Sequence, residues 1–294
     1  SSEKDFGAAA KLTEKSDSRT RDYAWGIYHK KNSDKWIYEI LNKIKFESIQ
    51  SVNDLEEGDV LVIIDSSIEK KNELYSKLKL ICSKTYMIHL GDEGGPYDFT
   101  SIYSNFSYVW RTFCSNKYFS NNKVGCLPLG YKSGTFHEEK IVERKYKWSF
   151  IGTPHKSSRH DLLYNLSNIK PAFIHKTKKF NEKIIEIEEM RNVLSSTIFV
   201  PCPNGFVHPE TYRLYEALEC GCIPIVENAY KYYDRLFPGN PFLKIDKWQE
   251  AKDIINKYNE EIIEKKRKEC LEWWQNQKTQ IQKFIGKKIN NEKD

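Results

Sequence analysis

The run from Pro201 to Val226 (PCPNGFVHPETYRLYEALECGCIPIV) constrains this chain more than any other stretch. An apolar strand closes at Pro201, and Pro203, Asn204 and Gly205 form a turn that interrupts both helix and sheet. Pro209 suits the first position of a helix, where its missing N–H leaves nothing unsatisfied. Leu214, Ala217, Leu218 and Gly221 then recur at helical spacing, so one stripe packs on a sheet. The spacing predicts a helix over 209–221, stopped by Gly221, and a strand over 222–226. Such a unit presents free N–H groups and partial positive charge at the helix start, a favourable place for an anion. Arg213 carries a planar donor fork suited to a diphosphate. Glu216, on the same face, is placed to accept hydrogen bonds from ribose or sugar hydroxyls, and Asn204 and His208 sit in the turn facing that ligand. The plainer alternative is an Arg213–Glu216 surface pair at helical spacing. The surrounding turn favours the functional reading.

Elsewhere the chain alternates helical and strand-like segments, the pattern of an α/β architecture. Helical spacing runs through Trp36, Ile40, Leu41 and Ile44, and a buried strand over 59–65 ends at Asp65. A helix carrying Leu74, Leu78 and Leu80 leads to a strand over 84–90, which enters the glycine-rich turn Gly91-Asp92-Glu93-Gly94-Gly95-Pro96. Further strands are expected over 107–112, 146–152 and 197–201, a helix over 157–166, and one long charged helix over 254–285. The charged stretch 137–147 reads as an exposed connection between two lobes. In open α/β sheets ligands bind beyond the carboxyl ends of strands, which singles out Asp65 and the Gly91–Pro96 turn.

Composition narrows the function classes. With 294 residues, 39% hydrophobic and 14% aromatic, the chain suits two domains with real cores. No stretch approaches the roughly 18 apolar residues that a bilayer span needs. The net charge of +6 is spread as lysine over helix faces, as at Lys265, Lys266 and Lys268, and not gathered into a stripe with aromatic platforms. That distribution argues against a nucleic-acid partner. Seven cysteines, odd in number, irregularly spaced and without a CxxC pair, argue against both a disulfide framework and a zinc site. A reducing compartment such as the cytoplasm is the simplest reading of that usage. Residues 1–10, ending Gly7-Ala8-Ala9-Ala10, read as a disordered or vector-derived lead.

A hydroxyl residue followed by Arg-x-x-Glu-Ala-x-x-x-Gly-Cys-Ile-Pro resembles the exostosin-type glycosyltransferases, family 47. The matched positions are Pro203, Gly205, Thr211, Arg213, Glu216, Ala217, Gly221, Cys222, Ile223 and Pro224. Members often carry Asp-Ser before the Arg, where Glu210-Thr211 stands here. Phe150-Ile151-Gly152 followed by Arg159 is similar to the family's Phe-x-Gly…Arg element, whose Arg is expected to reach the diphosphate. The resemblance is strong over 148–226 and weak before it. Within the family, the short chain and the His89-Leu-Gly-Asp-Glu turn look most like ribitol-xylosyltransferase-like and viral or algal xylosyltransferase members. A viral member would act inside a host cell.

The resemblance implies an α/β fold of the GT-B type, two Rossmann-like lobes with parallel sheets and a cleft between them. Residues 11–145 would form the acceptor lobe and 146–260 the nucleotide-sugar lobe, hinged near 140–147. Residues 261–294 would form a helix packing back on the first lobe. The implied reaction is an inverting, metal-independent transfer, without cofactor, from a UDP-sugar to a hydroxyl of a glycan or glycoprotein acceptor, with xylose as the candidate sugar. Gly152, Arg159, Asn204, Gly205, His208, Thr211, Tyr212, Arg213 and Glu216 are the expected donor-binding residues. Inverting transfer needs a base to take the acceptor proton. Asp92 and Glu93 come first, Asp65 second and His89 third, although two carboxylates on such a turn also serve as turn formers. Asp65, Tyr97 and Trp25 are candidates for the acceptor surface, the aromatics by stacking on sugar C–H faces; for any one aromatic a core or ordinary surface role is the plainer reading. A sugar-nucleotide epimerase of the same fold and a non-catalytic glycan- or nucleotide-binding module are the competing functions.

Overall fold

The computed structural model describes residues 9–12, 30–49, 51–66, 68–95, 97–135, 142–178 and 185–290. The chain divides into two compact units, the first of residues 1–128 with 280–294 and the second of residues 129–279. Sequence analysis places that division near residue 145; the units part between Pro128 and Leu129.

Unit 1 runs β1 (Ala9–Leu12), α1 (Lys30–Leu41), β2 (Phe46–Ile49), β3 (Val60–Asp65), α2 (Asn72–Ile81), β4 (Lys84–His89), α3 (Thr100–Tyr103), β5 (Tyr108–Arg111), α4 (Asn116–Phe119) and β6 (Val124–Cys126). Its sheet has the order β2-β1-β3-β4-β5-β6. Strands β3 to β6 are parallel, and β1 is antiparallel to both neighbours. Val-Leu-Val-Ile-Ile is apolar without alternation because a parallel strand is covered on both faces. Leu61, Ile63, Met87 and Val109 pack there with Tyr75, Leu78, Ile102 and Phe106. The polar residues fall at the strand ends. Asp65 pairs in register with His89, and His89 with Arg111, so three ionisable groups line up across the carboxyl edge.

Two expectations change in this unit. Ala9 and Ala10, assigned to a lead, belong to β1, where Ala10 pairs with Ser48 on one side and Val62 on the other. The cysteine pattern argues against pairing, yet Cys114 and Cys126 form a disulfide with Cα atoms 5.5 Å apart. Their spacing in the chain conceals that parallel β5 and β6 bring these ends together, Cys126 lying in register with Arg111. Cysteine usage therefore loses its force as an argument for a reducing compartment.

Unit 2 runs β7 (Tyr146–Gly152), α5 (Arg159–Leu166), β8 (Ala172–Lys176), α6 (Ile187–Ser195), β9 (Thr197–Cys202), α7 (Tyr212–Glu219), β10 (Ile223–Glu227), α8 (Tyr232–Leu236), β11 (Leu243–Ile245), α9 (Trp248–Lys257) and α10 (Glu260–Asn290), the last shared with unit 1 from Gln280 onward. All five strands are parallel, in the order β11-β10-β9-β7-β8. Strand β8 lies on one side of β7 and β9 on the other, so the order reverses at β7, and the carboxyl ends of β7 and β9 flank the expected ligand crevice. Trp148, Phe150, Phe199, Ile223 and Ile225 pack under Leu162, Trp248 and Ile255. Buried Glu219 accepts from Trp274 Nε1 at 2.6 Å and Lys278 Nζ at 2.8 Å, joining α7 to α10.

Three boundaries differ from the sequence reading. The helix expected from Pro209 starts at Tyr212. Buried Glu210 holds the preceding segment extended, accepting from the Leu129 N–H and from the hydroxyls of Tyr215 and Tyr232. The single helix over 254–285 is two, because Tyr258 is extended and the Asn259 side chain caps α10 by accepting from the Ile262 N–H at 2.9 Å. The supposed exposed connection is anchored where it is described. Arg144 donates to the carbonyls of Leu194, Thr197 and Cys220. No helix among the described residues is long and apolar enough to cross a membrane.

Candidate functional site

In unit 2 the chemistry gathers at Gly152, the last residue of β7. Its φ of +143° lies where a side chain is strained, and a β-carbon there would sit 3.0 Å from Arg213 Nη2 and 4.0 Å from Arg159 Nη1. The glycine thus lets two guanidiniums converge on one stretch of backbone. Arg213 Nη2 donates to the Ile151 carbonyl at 2.6 Å, and its guanidinium lies 5.1 Å from the Phe150 ring centre. Arg159 Nη1 donates to the Thr153 carbonyl at 3.1 Å, while its buried Nε has no partner. Neither arginine makes an ion pair with a carboxylate among the described residues.

Burial and the neighbouring Arg213 charge pull Arg159 down to about 10, and burial lowers Arg213. Two cations held this way, with no carboxylate bonded to either, form a strong site for an anion. Glu216 lies one helical turn beyond Arg213. Burial raises its carboxyl above the ordinary value, and the charges of Arg213 and Lys132 oppose that rise. Buried Asn204 Oδ1 and Thr211 Oγ1 both lack partners, on the turn that follows β9. Such groups would recover hydrogen bonds from a polar ligand.

The other expected donor residues are placed differently. His208 Nδ1 accepts from the Glu210 N–H at 3.1 Å and its ring meets Tyr232 edge-on at 4.7 Å, so it braces the turn. Gly205 is half-buried in that turn beside exposed Phe206, and half-buried Tyr212 opens α7.

Unit 1 carries a second polar centre, at the carboxyl ends of β4 and β5. Buried Arg111 donates from Nη2 to Asp92 Oδ2 at 3.1 Å and from Nη1 to the Tyr103 hydroxyl at 3.3 Å. It also donates to the carbonyls of Thr112 and Phe113 and lies 4.4 Å from the Tyr118 ring centre. The Tyr103 hydroxyl is 2.7 Å from His89 Nδ1. Burial and the Arg111 charge push His89 down to about 3, so its ring is neutral near pH 7. At the two ends of this chain, His89 Nε2 and Asp92 Oδ1 are buried without partners. Asp92 adopts φ +64°, a left-handed conformation that aspartate tolerates better than most residues.

Of the other unit 1 candidates, Glu93 is exposed on the turn. Asp65 Oδ2 accepts from Lys71 Nζ at 2.7 Å and Tyr75 OH at 2.9 Å. Tyr97 is exposed, with its ring 5.7 Å from Phe99. Trp25 lies outside the described residues. Sequence reasoning missed Arg111, Tyr103 and Glu210. Arg111 had a visible signal, a full charge directly after Tyr108-Val-Trp in an apolar strand, which demands a buried partner.

Comparison with known proteins follows this geometry. Residues 132–292, more than half of the chain, match the family model described as the RXYLT1 C-terminal domain. Human ribitol-5-phosphate xylosyltransferase 1 is 28% identical over 162 residues, covering 47% of this chain and 36% of that protein. The mouse protein of the same name is 28% identical over 186 residues, covering 52% of this chain and 41% of that protein. The matched part is thus well under two thirds of the length of these relatives. The crystal structure of an alpha1,3-fucosyltransferase aligns over 90% of this chain and 86% of its own, with a TM-score of 0.51 and 13% identity, a likeness of fold alone. The fold class is α/β of the GT-B type, each unit built on a sheet with parallel strands, and the chain belongs to the family of the RXYLT1 C-terminal domain.

Proposed function

We propose that this chain is a glycosyltransferase that moves a sugar from a nucleotide diphosphate sugar to a hydroxyl of a polyol or glycan acceptor. The observation that carries the reading is the convergence of Arg159 and Arg213 on Gly152, at the point where the strand order of unit 2 reverses. Two unneutralised guanidiniums match the two phosphates of such a donor, and the unpaired Thr211 and Asn204 side chains offer it further hydrogen bonds. Glu216, beside them on α7, would accept from ribose or sugar hydroxyls. The relatives' name supports xylose as the transferred sugar and ribitol 5-phosphate as the acceptor type; UDP is the nucleotide expected from the exostosin-type resemblance.

In this reading transfer is inverting. The acceptor oxygen forms a bond to the anomeric carbon as the bond from that carbon to the diphosphate breaks, and its electron pair leaves on the diphosphate. Arg159 and Arg213 stabilise the charge that develops there, a role that elsewhere falls to a metal ion. The acceptor proton passes to a carboxylate of unit 1, for which Asp92 is the candidate because one of its oxygens is held by Arg111 and the other is unpaired.

The test is a thermal-shift titration with UDP and UDP-xylose. Wild-type protein should gain several degrees at saturation, and Arg213→Ala, with its circular dichroism unchanged, should gain none. If neither nucleotide moves the wild-type transition, the donor site is wrong.

A further inference from the structure

The polar centre of unit 1 contains a hydrogen-bond direction that can be worked out atom by atom. Arg111 has no acceptor, so the contact of its Nη1 with Tyr103 at 3.3 Å is a donation into the phenol oxygen. That leaves the phenol hydrogen for its other close neighbour, His89 Nδ1, at 2.7 Å. With Nδ1 accepting, the single hydrogen of the neutral ring sits on Nε2. On its other side Arg111 donates into Asp92 Oδ2, leaving Oδ1 as an unpaired acceptor. The chain therefore ends in one buried donor, His89 Nε2–H, and one buried acceptor, Asp92 Oδ1.

Gly91 is the second residue after His89 and directly precedes Asp92. A β-carbon at Gly91 would meet His89 Nε2 at 3.3 Å and the Ser66 carbonyl at 2.5 Å. A side chain at Gly91 would therefore collide with the Ser66 backbone and crowd His89 Nε2.

A hydroxyl group accepts one hydrogen bond and donates another through the same atom, which is what one donor and one acceptor require of a ligand. We propose that the carboxyl ends of β4 and β5 bind a hydroxyl of a polyol, which accepts from His89 Nε2–H and donates to Asp92 Oδ1, with Arg111 and Tyr103 as the positioning residues that set both directions. The proposal rests on the transferase reading, and it turns His89 from a candidate base into a donor. A buried hydroxyl matched on both sides is also selective, since an analogue lacking that hydroxyl would leave two polar groups stranded.

The experiment uses the full chain labelled with 15N and reads the imidazole nitrogens of His89, assigned by comparison with His89→Gln. Free protein should show Nδ1 as the unprotonated nitrogen and Nε2 as the protonated one. Ribitol 5-phosphate should shift the Nε2 resonance saturably, and inorganic phosphate should leave it in place. In Tyr103→Phe, which keeps the ring contacts but loses the hydroxyl, the tautomer preference should weaken. Affinity for ribitol 5-phosphate should then fall about fivefold to tenfold. A hydrogen on Nδ1, an Nε2 signal unmoved by ribitol 5-phosphate, an equal response to phosphate alone, or unchanged affinity in Tyr103→Phe would each overturn the proposal. UDP binding followed in the same samples separates the two readings. UDP bound with His89 silent removes this proposal and leaves the donor site, and the reverse result removes the donor site alone.

Discussion

The two polar centres are built from the same ingredients and handle charge in opposite ways. In unit 1, buried Arg111 finds its counter-charge in Asp92 and spends its remaining donors on Tyr103, Thr112 and Phe113. What is left over is a neutral donor and a single carboxylate oxygen. In unit 2, Arg159 and Arg213 meet at Gly152 with backbone carbonyls as their partners, and burial together with the Arg213 charge depresses the pKa of Arg159. One centre is electrically complete, which suits the hydroxyl of the proposed acceptor. The other is incomplete and selects for an anion. The proposed transfer pairs an uncharged hydroxyl with a charged diphosphate, and these two kinds of centre would divide those tasks.

The sharpest way to break this contrast is to remove one cation from each centre and compare stability. Arg111→Met strands the Asp92 carboxylate in a buried place, and the cost should be about 3–5 kcal/mol in urea unfolding. Adding Asp92→Leu to that variant should recover most of the loss, because the pair is then replaced by apolar groups. A single variant as stable as wild type would mean that Arg111 does not carry its assigned partner.

Gly152→Val tests the other centre through space and not through charge. The added side chain would push on Arg213 Nη2 and force a strained backbone at φ +143°. A misplaced guanidinium should lower kcat/KM by about a hundredfold and abolish the UDP thermal shift. Turnover within a few fold of wild type would show that the close approach at Gly152 has no functional consequence.

How much of this contrast the sequence carries differs between the units for a physical reason. The donor segment advertises itself because its constraints are local. A turn, a helical stripe and a strand follow one another within a single run, and Gly221 ends α7 at φ +64° as its position predicts. Where that local logic failed, at the start of α7, the cause was distant. Leu129, Tyr215 and Tyr232 claim the Glu210 side chain, and two of these three lie well outside the turn. The centre in unit 1 is assembled wholly by distant partners. Residues 89, 92, 103 and 111 come from two strands, a turn and a short helix, and no spacing links them. Asp92 and His89 could be picked out from the glycine-rich turn and the strand end before it, and Arg111 carried a signal as a charge in an apolar strand. Their joining through Tyr103 and the direction of hydrogen bonding needed coordinates. The disulfide was illegible for the same reason, since only parallel pairing of β5 with β6 brings Cys114 to Cys126.

Arg159→Met should give a smaller effect of the opposite kind to Arg111→Met. It removes one of two like charges and leaves Arg213 bonded to Ile151, so the nucleotide-free protein should keep its melting temperature to within about 2 °C. The same variant should lose most of its response to UDP, since one half of the phosphate clamp is gone. A drop in stability comparable to that of Arg111→Met would show that Arg159 is a structural residue and that the centre in unit 2 is already balanced without a ligand.

The smallest predicted effect concerns Glu216, and its sign distinguishes two pictures of the donor site. If burial dominates, the folded carboxyl sits above its ordinary 4.5, and the folded state then holds its proton more tightly than the unfolded chain. Stability from this group is therefore complete below pH 4.5 and declines as pH rises through the raised folded value. Glu216→Gln cannot titrate, so its unfolding free energy should improve relative to wild type as pH climbs from 4 to 7. Each unit of elevation is worth about 1.4 kcal/mol. Had Glu216 instead neutralised Arg213 as a close ion pair, its carboxyl would be depressed, and the glutamine variant would lose ground over the same range. Urea unfolding of both proteins across that range reads the slope directly. A falling difference would place a counter-ion inside the cationic site and remove the main reason for an anion to bind there.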